Sequence, residues 1–232
     1  RLFRGWQDRR RCSCLQGVMG EVYGDDFEEP RSAMAVLGDF AFLAGELSPE
    51  LALFRPWDVR KDFMILVPQD EVWARLIEGC HGGRVKKITR YAMKKEPDVF
   101  HRDHLKRAAA SLPPGYELKM IDRELYEHCG RHHWCRDLTS QYPDYQTYHR
   151  LGLGVMALKG GEPVSGASSY STYREGIEIE MDTKEEYRRQ GLAYSCAARL
   201  ILECLDRGLY RSWHAHTPQS MELAKKLRYH LD

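Results

Sequence analysis

The stretch "EYRRQGLAYSCAARLILECL" (Glu186–Leu205) sets a glycine behind two arginines and ahead of an apolar run whose members recur at four-residue steps. Leu192, Ala193, Cys196, Ala197, Leu200, Ile201, Cys204 and Leu205 share one helical face, so a long amphipathic helix is predicted, with Gly208 ending it. A helix N-terminus leaves its first N–H groups unpaired and carries the equivalent of roughly +0.5 charge, which suits an anion. Gly191 and Ala193 remove side chains that would block backbone approach, and Arg188 and Arg189 add mobile positive charge. The loop is not a G-K-S/T phosphate loop, and it lacks the further glycines of a dinucleotide fingerprint.

The flanks supply context. "GIEIEMDT" (Gly176–Thr183) alternates strictly and predicts a strand, with Glu178 and Glu180 on one face and Ile177, Ile179 and Met181 on the other. "GVMALKGGEPVSGASSYS" (Gly154–Ser171) predicts a hairpin turning at Gly160 and Gly161, and "YELKMID" (Tyr116–Asp122) a strand. Helix and loop fill Arg123–Arg150. Downstream, "RSWHAH" (Arg211–His216) predicts a short strand and "TPQSMELAKKL" (Thr217–Leu227) a helix capped by Thr217 with Pro218 in its first turn.

Upstream, "KKEPDVFHRDHLKRAAASLPPGYEL" (Lys94–Leu118) divides the chain, and the prolines at 113 and 114 place the expected boundary there, with domains 1–112 and 113–232. The first of these is itself mixed. Strand pairs are expected in "SAMAVLGDFAFLAG" (Ser32–Gly45), turning at Gly38 and Asp39, a strand buried on both faces in "DFMILVP" (Asp62–Pro68), a helix over Gln69–Cys80 capped by Asp70, and a strand over Val85–Lys94.

Composition narrows the function classes. Thirty-five basic against 34 acidic side chains give a net charge of +1, so no global field favours nucleic acid or an anionic membrane, and no partner of either kind is expected. No stretch nears the roughly 20 apolar residues of a membrane span, and Arg1–Arg11 lacks a signal's apolar core, so a cytoplasmic protein is expected. Seven cysteines without paired spacing read as free thiols. The cluster His128, Cys129, His132, His133 and Cys135 has metal-ligand chemistry but no second pair to match it, so it reads as a helix with buried Cys and solvent-facing His, with no metal site expected. The pairs Lys86–Lys87, Lys94–Lys95 and Lys225–Lys226 are interleaved with acids, and "RRRCSC" (Arg9–Cys14) is a terminal run; both read as solvated surface.

The order strand, Arg-x-x-Gly-x-Ala, long helix, short strand, helix resembles the acetyl-CoA-binding core of the GNAT acyltransferase superfamily. Arg188, Gly191 and Ala193 carry the resemblance, between "IEIEMDTKEEY" and "AHTPQSMELAKKLRY", over about Tyr116 to the end. "GWQD", "SCLQGVMGEVYGDD", "LGDF", "TRYAMKKEPDVF", "GLGV", "VSGASSYS" and "GLYRSWHAH" make the whole chain similar to a bacterial group of stand-alone GNAT proteins with their own N-terminal domain. The resemblance implies an α/β (α+β) fold with a mixed, mostly antiparallel sheet flanked by helices. Beside it stands a smaller N-terminal α/β domain, either unrelated or a degenerate GNAT-like half.

It also implies an acetyl-CoA-dependent N-acetyltransferase acting on a primary amine of a small molecule or protein, as monomer or homodimer. Backbone at Met181, Asp182 and Thr183 would receive the pantetheine arm. Arg188, Arg189, Gln190, Gly191, Leu192 and Ala193 would wrap the pyrophosphate, with Thr217 and Ser220 on the following helix also on the cofactor side. Glu178 or Glu180 would be the base, the alternative for either being a solvent-exposed polar strand face. A base is needed because an ammonium of pKa near 10 is only about one part in a thousand free amine at pH 7.

The chain departs from the family pattern in several places. Where many members have Asn and, seven positions on, a Tyr that protonates the leaving thiolate, this sequence has Thr217 and Ala224; Tyr229, Tyr194 or Ser220 could replace that acid. The family's glycine before the final aromatic is Arg228. The sequence reaches Asp232 before the family's last strands, so either these are missing or another segment replaces them. A catalytically weak acyl-CoA-binding module is the competing reading. Tyr142, Tyr145 and Tyr148 lie where the family covers its acceptor, and packing is the expected role for them.

Overall fold

The computed structural model describes residues 2–3, 10–56 and 63–232, and divides into two compact units, Arg1–Ile88 and Thr89–Asp232. The "GWQD" motif (residues 5–8), Arg9 and Asp62 lie outside the described residues.

In the first unit, α1 (Arg10–Leu15) is followed by β1 (Glu21–Gly24), β2 (Ser32–Leu37), β3 (Phe40–Gly45), α2 (Pro49–Leu53), β4 (Ile65–Pro68) and α3 (Glu71–His81). The sheet runs in that strand order, β1 to β3 antiparallel and β4 parallel to β3. The turn at Gly38 has φ 59°, which a glycine adopts without cost. Asp70 caps α3 by accepting from the Val72 and Trp73 amides, both at 3.0 Å. Trp73 and Ile77 then pack under Met34 and Leu43. β4 is half-buried along its length, not covered on both faces as its apolar run suggests. Three antiparallel strands, a helical crossover and a parallel fourth strand repeat the connectivity of the second unit, but here the crossover helix α2 has five residues and its N-terminus is occupied by Ser48.

The second unit contains β5 (Tyr91–Ala92), α4 (Arg102–Ala110), β6 (Tyr116–Met120), α5 (Arg123–Arg131), α6 (Tyr145–Leu151), β7 (Gly154–Lys159), β8 (Glu162–Tyr173), β9 (Gly176–Thr183), α7 (Leu192–Asp206), β10 (Tyr210–Ser212), β11 (His214–Ala215) and α8 (Pro218–Lys226). Five strands form a sheet in the order β10-β9-β8-β7-β6, antiparallel except for the parallel β9–β10 pair. Positive φ at Gly160 and Gly161 makes the β7–β8 turn the tight hairpin expected. Gly176 lets β10 approach: a Cβ there would stand 2.1 Å from the Tyr210 carbonyl oxygen.

The core lies between the sheet and helices α4 and α7, with Leu105, Ala108, Val155, Ile177, Leu192, Cys196, Leu200 and Ile201 buried together. Ser195 Oγ donates to the Ala108 carbonyl at 3.0 Å, and Arg102 pairs with Asp206 at 2.6 Å. α4 therefore packs with the second unit, and the division between units falls at Ile88/Thr89, ahead of the prolines that placed the sequence boundary at 112/113. The strand expected over Val85–Lys94 shortens to β5, because only Tyr91 and Ala92 find a ladder partner, β11. Beyond it a Met93–Leu231 bridge joins this segment to the C-terminal residues. The partner of β11 thus comes from upstream of β6, the first strand of the five-stranded sheet in chain order.

Candidate active site

β10 pairs with β9 only at Tyr210–Gly176, Arg211–Ile177 and Ser212–Glu178. The chain then turns away, because Trp213 C=O accepts from Met93 N–H at 3.2 Å and His214 pairs with Ala92. From Ile179 to Thr183, β9 is laddered among the described residues to β8 on one side alone. The splayed edge expected beside Met181, Asp182 and Thr183 is present, and all three residues are half-buried.

At the end of β9 the chain passes through a short 3₁₀ turn into Arg188, Arg189, Gln190 and Gly191, all exposed. Gly191 caps α7 with φ 83°, and a Cβ there would meet nothing within 4 Å, so the space before the helix N-terminus is open. Arg189 also takes positive φ (60°), Arg188 Nε donates to the Thr183 carbonyl, and Tyr116 Oη donates to Gln190 Oε1 at 2.8 Å. Leu192 is 1% exposed, which leaves only its backbone for a ligand, while Ala193 is half-buried. A fifteen-residue helix opening on unobstructed N–H groups beside two arginines fits a pyrophosphate.

The two glutamates part company. Glu180 is half-buried, accepts from its neighbour's amide, Met181 N–H, at 3.1 Å, and is pushed up to about 8 by burial and by the charge of Asp182, with Arg90 opposing. Glu178 is 3% exposed, so the solvent-facing alternative does not hold for it; its Oε1 accepts from His214 Nδ1 at 2.7 Å. The sheet is covered on both faces here, Gly176 through Ile179 all being buried.

The candidate acids fare differently. Tyr229 is 2% exposed, stacked edge-on against Phe100 and Trp213, and its hydroxyl donates to the Arg211 carbonyl at 2.9 Å, so it is a core residue and is withdrawn as an acid. Ala224 is fully buried. Thr217 caps α8 by accepting from Ser220 N–H at 3.2 Å, which commits its oxygen to the helix. Ser220, half-buried, accepts from Trp213 Nε1–H at 3.2 Å and keeps its own proton to donate. Tyr194 sits 3.4 Å from His104 Nε2. Tyr142 and Tyr148 are buried, with hydroxyls bonded to Ser169, Thr172 and Ser168, and so pack as expected. His132 and His133 are exposed and Cys129 and Cys135 buried; among the described residues no group of three or more such side chains could hold a metal ion. No disulfide joins any of the seven cysteines among the described residues.

His214 and Arg90 were missed from sequence. Each stands in a short strand two residues long or just before one, where alternation gives no signal, and their proximity to β9 depends on the β5–β11 pairing.

Fold and site together define an acyltransferase. The family model for GNAT acetyltransferase matches residues 1–232, and the chain belongs to that family. Acetyl-CoA as donor and an amine as acceptor are general to it. A crystal structure of a GCN5-related N-acetyltransferase-like protein from Streptococcus suis is 47% identical, covers 100% of this chain and 92% of its own, and superposes with a TM-score of 0.92. An uncharacterized N-acetyltransferase, YdfB, of Bacillus subtilis is 26% identical over 92% of this chain and 83% of its own. A GCN5-related N-acetyltransferase from Kribbella flavida, 15% identical over 98% of this chain and 93% of its own, shares the fold with a TM-score of 0.60. No helix among the described residues is long and apolar enough to cross a membrane.

Proposed function

We propose that the chain transfers an acetyl group from acetyl-CoA to a primary amine, with Glu180 as general base. The observation that carries this is the edge of β9 that opens beside the exposed Gly191 loop, with the half-buried Glu180 on that strand; burial and Asp182 raise its carboxyl to about 8. Bound acetyl-CoA supplies the acyl thioester. Exposed Arg188 and Arg189, with the first amides of α7, would hold its pyrophosphate, and the splayed edge at Met181–Thr183 would take the pantetheine by strand addition.

A carboxylate of ordinary pKa near 4.3 is a weak match for an ammonium, whereas one near 8 takes its proton with far less uphill cost. Burial and the neighbouring Asp182 make that base stronger, and the charge of Asp182 also favours a cationic acceptor. Ser220, whose hydroxyl keeps a proton to donate, would return one to the leaving thiolate in place of the buried Tyr229. A thiolate of pKa near 8.5 also leaves without help.

Calorimetry with acetyl-CoA, followed by thiol release against a panel of alkylamines and lysine derivatives, tests the reading. Micromolar or tighter binding that Gly191→Trp weakens at least tenfold, and amine-dependent release lost in Glu180→Gln, are expected. Binding without release by any amine would favour a binding module.

A further inference from the structure

Glu178 presents a second feature. Its Oε2 is buried and has no hydrogen-bond partner among the described residues, although Oε1 is held by His214. Directly across the ladder on β8, Ser171 Oγ is likewise buried and unpartnered. Buried polar atoms without partners are few in native proteins, and leaving a charged group's oxygen unmet costs more than a neutral one. Two of them on opposed residues, at the rung where the β9–β10 ladder ends, mark a place built to receive a donor group.

His214 is fixed from both ends. Its main chain is paired to Ala92, its carbonyl accepts from Arg90 Nη2 at 3.3 Å, and its ring stands 2.7 Å from Glu178 with side-chain exposures of 10% and 4%. An ionised carboxylate only accepts, so the ring nitrogen facing it, Nδ1, carries the hydrogen. That bond stops the carboxylate from swivelling and decides which oxygen stays unmet.

We propose that His214 is a positioning residue acting through Glu178: it holds the carboxylate so that Oε2 receives an N–H of the acceptor amine, orienting the nitrogen while Glu180 takes its proton. This rests on the acetyltransferase reading above. Glu178 and Glu180 thereby have separate duties, one aiming the amine and the other deprotonating it. Truncating His214 removes the aim without touching the acetyl-CoA loop.

The test uses the full chain saturated with CoA and n-butylamine as the probe. In ¹⁵N spectra, with the His214 ring signals assigned by their loss in His214→Asn, butylamine is expected to shift those signals in the wild type and not in Glu178→Gln. In thiol-release kinetics, His214→Ala is expected to raise KM for butylamine about tenfold with acetyl-CoA affinity unchanged within twofold, as fits one hydrogen bond to a charged group. His214→Asn, which keeps an N–H at the Nδ1 position, should recover to within about threefold. Ring signals indifferent to butylamine, an unchanged KM in His214→Ala, or no recovery in His214→Asn would each overturn the proposal. If butylamine is not turned over, the ring signals decide alone. Should CoA itself fail to bind, the acetyltransferase reading falls and this proposal with it, an outcome distinguishable from bound CoA with an indifferent ring.

Discussion

Replacing Glu180 by Gln removes a proton acceptor while keeping shape, and the structure fixes what should follow. A group that titrates at about 8 is ionised in roughly one molecule in ten at pH 7, one in two at pH 8 and nine in ten at pH 9. The base must be ionised to act, so its contribution to kcat/KM climbs about fivefold from pH 7 to 8 and less than twofold from 8 to 9. Wild type takes the acceptor as its ammonium, which stays almost fully populated up to pH 9, whereas Glu180→Gln must wait for free amine and so rises about tenfold per pH unit below an ammonium pKa near 10. Near pH 7–8 wild type should exceed Glu180→Gln by about 10²–10⁴, typical of one positioned acid–base group, and the wild-type profile alone should bend near pH 8.

The same substitution has an opposite effect on stability. Glu180's folded pKa lies above its unfolded value, so the fold prefers the neutral form: stability is full below about 4.5 and falls as pH rises from 4.5 to about 8. The cost above pH 8 is up to about 5 kcal/mol. Glu180→Gln should therefore melt higher than wild type at pH 8.5 and level with it near pH 4.5. A wild-type profile that rises through pH 8 without a bend, as that of Glu180→Gln does, or equal melting at pH 8.5, would refute the assignment.

Three further changes probe the frame around the site. Gly191→Ala, at φ 83° with open space around it, should cost about 1 kcal/mol in stability by urea titration, whereas Gly191→Trp should chiefly weaken acetyl-CoA binding in calorimetry. Arg228 follows α8 at φ 76°, in the place where the family carries glycine, so Arg228→Gly should raise stability by up to about 1 kcal/mol. Tyr229→Phe should lose about 1–2 kcal/mol, for the bond to the Arg211 carbonyl, and leave kcat unchanged, the opposite of what removing a catalytic acid would do.

The elements of the second unit were legible wherever one periodicity ran long enough. The four-residue steps of Leu192–Leu205, the alternation of Gly176–Thr183 and the paired glycines at 160 and 161 each reappear as an element with the expected ends. The residues expected to take the cofactor, Arg188 to Ala193 and Met181 to Thr183, belong to that local pattern and lie at the ends of those elements. What escaped depends on contacts distant in sequence. Alternation placed Glu178 and Glu180 alike, yet only Glu178 lies across from His214, which β5 draws into place. Tyr229 looked available because its burial arises from Phe100 and Trp213, neither of them a neighbour in sequence.

The pairing of β11 with β5, reinforced by the Met93–Leu231 bridge and by Lys94 N–H to the His230 carbonyl at 2.8 Å, bears on how the chain can be cut. A piece beginning at residue 113 would strip β11 of its ladder and leave an unprotected strand edge, together with the apolar flank of α7 that Leu105 and Ala108 cover. Such a piece should self-associate, whereas one beginning at Thr89 keeps its own seal. For expression or crystallisation of the second unit alone, the safe scissile point is therefore the junction at Ile88, well upstream of the two prolines.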